Sequence, residues 1–257
     1  MCGEASARAV LRSSALPLLR AFVTYLQFHA AFIAPVLVAL WLLRPRPSPP
    51  WWPLLALVGI AFAYTTPWDN FLVANAVWTY PPDRVWFTVG YVPIEEYAFF
   101  GLQTVMTGLW YRILRPRVLP EAPPYGPASQ KWPGVAAFGA LSVAGWACIA
   151  AGGHWLYLGL ILGWACPVLA GMWWTAGAQI WAHRRLIAWA VVPMTLYLWL
   201  ADRIAIGLEI WDITDATRTG WEIVGLPVEE ALFFVVTNLL VAQGLAMFAP
   251  SRQRAGA

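Results

Sequence analysis

The chain alternates long apolar runs with short polar joints, and within the runs polar and apolar residues do not alternate strictly. The joints read RPRPSPP at 44–50, TYPPDR at 79–84, RPRVLPEAPPYGPASQK at 115–131, GGH at 152–154, AHRR at 182–185 and WDITDATRTG at 211–220. They delimit seven apolar runs, roughly 18–43, 51–78, 86–113, 132–151, 155–181, 186–209 and 222–248. Each is near or above the about 20 residues that an α-helix needs to cross a bilayer. The pattern predicts an all-α polytopic membrane protein with about seven transmembrane helices. The first run is too long for the apolar core of a signal peptide and lacks a small-residue cleavage site, so it reads as a retained span.

Composition agrees. Of 257 residues, 60% are hydrophobic and 11% charged, with a mean hydropathy of +0.61. A soluble domain carries about 25% charged residues. A transmembrane barrel would show about ten-residue alternating strands, which are absent from these runs. Cys2, Cys148 and Cys166 form neither a disulfide framework nor a metal-ligand spacing. The net charge of +3 says little about nucleic acid, and no nucleic-acid partner is expected; its placement carries topology instead. Ten basic residues gather on one side: Arg44, Arg46, Arg112, Arg115, Arg117, Lys131, Arg184, Arg185, Arg252 and Arg254. The other side holds five: Arg8, Arg12, Arg20, Arg84 and Arg218. Basic loops stay in the cytoplasm, which predicts a multi-pass protein of the cell (inner) membrane with its N-terminus outside and its C-terminus cytoplasmic.

Two apolar runs break the pattern with paired acids. GYVPIEEYAFF at 90–100 is answered by GLPVEEALFF at 225–234, and both contain Pro-x-Glu-Glu-x-x-Phe-Phe. Upstream, Asp69 stands nine residues before Trp78 and Asp202 nine before Trp211. From 95 to 229 the offset is 134; from 69 to 202 it is 133. Landmarks at a shared offset mark an internal repeat. Four crossings separate the copies, so both have the same orientation, and an extra fourth helix joins two parallel three-helix repeats. Counting nine residues from the tryptophans at 1.5 Å each puts the acids about 13 Å below the outer boundary.

Carboxylates in hydrocarbon are costly, so they face a bundle interior and serve function. Asp69, Glu95, Asp202 and Glu229, with Glu96, Glu230 and Glu209, outnumber the one base embedded away from the span ends, Arg203. Pairing cannot satisfy that set, and some of these acids are expected to hold protons. Glu95 and Glu96 point about 100° apart on a helix, so one enters a cavity while the other braces a neighbour. The expected division puts Glu95 on substrate and Glu96 as brace. Pro93 and Pro227 are expected to bend the helices near the acids. Phe99 lies four residues after Glu95, and Phe100 four after Glu96, so each acid should share a face with a ring that can stabilise a cation. Acids and aromatics in a dry cavity suit proton-initiated cyclisation of a polyene.

The doubled Pro-x-Glu-Glu-x-x-Phe-Phe helix, each preceded by Asp-x8-Trp, resembles the bacterial and archaeal lycopene cyclases of the heterodimeric type. This chain is similar to their fused form over nearly its whole length, and to the cyclase part of the fungal enzymes fused to phytoene synthase. The resemblance implies repeats at 1–118 and 153–257, a Pro-rich cytoplasmic loop at 119–131 and a linking span at 132–152. It implies non-redox cyclisation of the ψ-ends of lycopene, or a related acyclic carotenoid, to β-rings. Glu95, Glu229, Glu96, Glu230, Asp69 and Asp202 would be catalytic. Phe99, Phe100, Phe233, Phe234, Trp78 and Trp211 would line the substrate. Partners would be the bilayer and other carotenoid-pathway enzymes. Thr237 and Asn238 replace Gln103 and Thr104 in the second copy, so the halves differ. No Gly-rich dinucleotide turn follows a strand, so no flavin or other cofactor is expected. No metal is expected either.

Three other readings compete. Prenyl-processing intramembrane proteases need Arg after Glu-Glu-x-x-x, where this chain has Phe100 and Phe234. A Mg²⁺-dependent prenyltransferase needs a second Asp-rich motif beside Asp212-Ile-Thr-Asp215. A proton-coupled transporter fits parallel repeats and buried acids, but the fourth and fifth runs lack ionisable residues within them.

Overall fold

The computed structural model describes residues 23–124 and 126–249. Cys2, Arg8, Arg12, Arg20, Arg252, Arg254, the start of the first span and both termini lie outside the described residues. Seven long helices run through the described chain: α1 Tyr25–Leu43, α2 Trp52–Ala74, α3 Ile94–Val118, α4 Trp132–Ala151, α5 Leu156–Ala182, α6 Arg184–Gly207 and α7 Val228–Met247. A π-helical turn occupies His29–Ile33 within α1. Five helices, α1 and α4 to α7, are long and apolar enough to cross a membrane. At 23 and 25 residues α2 and α3 have the length, but α2 carries Asp69 and α3 carries Glu95, Glu96, Arg112, Arg115 and Arg117.

Six short strands intervene among the described residues. β1 is Trp78–Thr79, β2 Thr88–Val89, β3 Val92–Pro93, β4 Asp212–Ile213, β5 Glu222–Ile223 and β6 Leu226–Pro227. β2 and β3 form a hairpin, as do β5 and β6. Each closes on two residues, Gly90-Tyr91 and Val224-Gly225; Gly90, Val224 and Gly225 take positive φ, which is the backbone such tight turns require. β1 pairs antiparallel with β4, Trp78 opposite Ile213 and Thr79 opposite Asp212. Thr79 and Asp212 are themselves 133 apart, the offset of the aspartates.

The hairpins correct the expected spans. Residues 86–93 and 222–227 are not helical; α3 and α7 begin after Pro93 and Pro227. Both prolines occupy N-cap positions, so they start the helices rather than bend them. A proline can occupy the edge of a helix without removing an internal hydrogen bond, which an interior position does not allow. The count from Trp86 therefore does not run along a helix, and the 13 Å depth does not hold. Glu95 and Glu96 lie in the first turn of α3, Glu229 and Glu230 in the first turn of α7. Acids there face the positive end of the helix dipole. Asp69 precedes the end of α2 at Ala74 by five residues, about 7 Å at 1.5 Å per residue. Protein shields these acids, through the hairpins and loops above them. Glu209, counted among the embedded acids, stands exposed on the turn after α6.

Small residues and polar pairs hold the helices together, as expected where lipid weakens the hydrophobic drive. A Cβ on Gly145 would meet the backbone nitrogen of Gly163 at 2.5 Å, and one on Gly159 that of Ile149 at 2.7 Å, so α4 lies directly on α5. Between α3 and α7, Gln103 donates to Thr237 Oγ1 at 2.7 Å. Thr107 donates to Asn238 Oδ1 at 2.6 Å, and Asn238 Nδ2 donates to Thr195 of α6 at 3.0 Å.

Candidate active site

A small cavity lies where α1, α3, α6 and α7 meet β1 and the loops around β4. Glu96, Glu230 and Asp202 reach its wall, among Tyr25, Trp78, Phe99, Trp211, Phe233 and Phe234. All three acids are buried. Asp69 is fully buried beside them, and neither of its carboxyl oxygens has a hydrogen-bond partner among the described residues. Asp69 and Asp202 each lie within electrostatic reach of both Glu96 and Glu230. Four carboxyls therefore converge, as the two aspartates and the second glutamate of each motif.

The first glutamates do something else. Glu95 Oε1 accepts the backbone N–H of Trp86 at 2.8 Å. Glu229 Oε1 accepts both the N–H and the hydroxyl of Thr219, each at 2.7 Å. Each carboxylate thus ties its hairpin's approach strand to the helix start. The split between a cavity acid and a bracing acid follows from the 100° helical step. Its direction is opposite to the expected one, because the helix begins at Ile94 and turns Glu95 back toward the loop.

Phenols complete the arrangement. Tyr25 donates to Glu96 Oε2 at 2.5 Å, and Tyr80 donates to the same oxygen at 3.1 Å. Tyr157 donates to Glu230 Oε1. Burial first, and then the Glu96 carboxylate, push the phenol of Tyr80 on the loop after β1 well above its usual range, so it remains a donor. The amide of Tyr25 donates to the Arg84 carbonyl at 2.8 Å, and that of Tyr157 to the Thr217 carbonyl at 3.0 Å, so matching loops fix both helix starts. Trp211 lines the cavity beside Asp202.

Rings close the cavity. Trp211 packs on Tyr25 at 4.9 Å between centroids, and Trp78 on Tyr157 at 5.8 Å, each tryptophan meeting the tyrosine of the other half. Phe99 stacks on His29 at 6.0 Å and meets Phe234 edge-on at 6.2 Å. Phe233 lies parallel to Trp68 at 5.9 Å. Glu96 shares the cavity with Phe99, three residues on rather than four, and Glu230 shares it with both Phe233 and Phe234, three and four residues on. Phe100 faces away from this cavity, into a groove between α2, α3, α5 and α7. Arg203, expected near the acids, instead donates to the Val224 carbonyl at 2.6 Å in the second hairpin.

Sequence reasoning missed Tyr25, Tyr80 and Tyr157. The signal for two of them was present: Tyr25 and Tyr157 are 132 apart, close to the repeat offset. Tyr80 has no such mark, since Ile213 stands 133 residues on.

The chain is similar to a lycopene beta-cyclase of Halobacterium salinarum, with 40% identity over 232 residues, covering 88% of this chain and 96% of that protein. It is also similar to bifunctional lycopene cyclase/phytoene synthases. That of Podospora anserina is 39% identical over 205 residues, 75% of this chain and 34% of the fungal protein. That of Sporisorium reilianum is 34% identical over 243 residues, 88% of this chain and 35% of the fungal protein. No family model matches the chain, and no solved structure matches it.

Proposed function

The chain belongs to the lycopene cyclase family and cyclises lycopene, and on that premise we propose that Glu96 and Glu230 are the acid and base of the reaction. One of them, protonated, delivers its proton to C2 of the terminal alkene. The positive charge at C1 is attacked by the C5–C6 double bond, which closes the ring and moves the charge to C5. The other, ionised, removes the C6 proton and leaves the β-ring double bond. One proton enters and one leaves, so the product is an isomer and the scheme calls for no redox cofactor or metal. Phe99, Phe233, Phe234, Trp78 and Trp211 present ring faces to the cation, whose attraction strengthens in a desolvated site. Asp69 and Asp202 hold the local charge and relay protons between turnovers. Glu95 and Glu229 position the acids by fixing the hairpins.

The observation that carries this reading is that Glu96 and Glu230, one from each motif, reach a single ring-lined cavity. It supports one composite site shared by two three-helix units, α1–α3 and α5–α7, with α4 linking them. In this reading α2 and α3 also cross the bilayer, making seven spans. Arg44, Arg112, Arg115, Lys131, Arg184 and Arg185 mark the cytoplasmic end, and the hairpins lie outside. The membrane is the cell membrane, where the substrate dissolves and other carotenoid-pathway enzymes can hand it over.

Turnover in deuterated water tests the proposal. One deuterium per ring is expected at C2, and both incorporation and ring formation should vanish in Glu96→Gln/Glu230→Gln protein that still accumulates in the membrane. Full conversion by that double variant, or rings without deuterium, would refute it.

A further inference from the structure

The acid cavity has a volume of about 30 Å³. That is room for a water or two, far less than the end group of a carotenoid. A second space of about 270 Å³ lies directly behind it, close to the smallest pockets that hold organic ligands. This is the groove between α2, α3, α5 and α7. Tyr64, Phe100 and Trp164 wall it, and its rim residues Ile60 and Phe248 are exposed on the apolar flank of the bundle. Phe233 is the one residue common to both linings. Its ring lies nearly parallel to Trp68 and Trp164, with interplanar angles of 2° and 21°, so the inner end of the groove is bounded by flat aromatic faces.

The opposite flank is built differently. The offset of 133 carries Ala61, in the groove wall, to Met194, and the offset of 134 carries Trp110 to Gly244. Ala61 and Gly244 leave space where Met194 and Trp110 fill it. Met194 is buried, and Trp110 donates to the Trp189 carbonyl at 3.1 Å, fastening α3 to α6. The groove thus opens on the flank with the small residues.

We propose that this groove holds the polyene tail of the carotenoid, that the end group displaces Phe233 to reach Glu96 and Glu230, and that substrate enters from this flank. The inference rests on the cyclase reading of the cavity. A lipid acyl chain would also fit an apolar slot. The shared Phe233 wall with the acid cavity and the flat aromatic faces favour a rigid planar polyene.

The test uses the full chain made in lycopene-producing cells as Glu96→Gln/Glu230→Gln, purified in detergent, with bound lycopene measured by its visible absorption. This protein should retain lycopene. Adding Ala61→Met or Gly244→Trp should lower the bound amount at least tenfold, whereas Met194→Leu and Trp110→Phe should leave it within twofold. A Cβ on Gly244 would meet only the flexible end of Leu57, at 2.7 Å, and Ala61→Met decides the matter if Gly244→Trp does not fold. Unchanged lycopene in the folded groove variants, or protein retaining phospholipid and no carotenoid, overturns the proposal. Should Glu96→Gln/Glu230→Gln still cyclise, the acid assignment fails, while the groove is still judged from whichever carotenoid remains bound.

Discussion

Replacing Glu96 or Glu95 by glutamine separates chemistry from architecture within one dipeptide. In Glu96→Gln the amide oxygen can still accept from Tyr25 and Tyr80, so the local geometry survives. The proton transfer does not. General acid–base catalysis contributes about 10²–10⁴-fold. At about 1.36 kcal/mol per decade, that is roughly 3–5 kcal/mol of transition-state stabilisation lost. In Glu95→Gln the amide oxygen can still accept the Trp86 N–H, with the charge gone. A charged hydrogen bond exceeds a neutral one by about 1 kcal/mol. Glu95 Oε2 is buried without a partner among the described residues, so the new NH₂ there is an unpaired donor costing about 1–3 kcal/mol more. Glu95→Gln should therefore lower the thermal midpoint by several degrees and keep cyclisation within tenfold of the parent. Glu96→Gln should keep the midpoint and lose cyclisation at least a hundredfold. The assay is the initial rate of ring formation per mole of protein in membranes supplied with lycopene, resolved by chromatography, alongside a detergent melting curve. A dead Glu95→Gln of normal stability beside an active Glu96→Gln would refute the assignment.

Tyr157→Phe removes the phenol that donates to Glu230 and should cut turnover about tenfold or more, with less effect from Tyr25→Phe because Tyr80 still donates to Glu96; rates of the two proteins check this. Asn238→Ala strands the buried groups it joins on α3 and α6 and should cost about 2–3 kcal/mol, read from the melting curve. Gly145→Val places side-chain atoms against the backbone of α5 and should separate α4 from it, which cysteine cross-linking between the two helices would report.

Much of this was legible beforehand. Apolar runs located all seven helices, and for 132–151 the predicted and observed bounds coincide. The doubled motif found the acids because carboxyls stand out against hydrocarbon-like sequence. The hairpins were hidden: WFTVGYVP at 86–93 is as apolar as a helix, and only Gly90 hinted at a turn. Missing them shifted two helix starts, and with them which glutamate faces inward. The phenols escaped because their role depends on contacts between residues 71 and 73 positions apart. The groove was equally invisible, since it arises from small residues set against large ones at matched positions.

The crossing of Trp211 onto Tyr25 and of Trp78 onto Tyr157 bears on how this protein tolerates damage. A repeated motif ordinarily suggests redundancy, one copy sheltering the other from loss. Here both motifs furnish walls of the same cavity, so damage beside either should be felt by the whole.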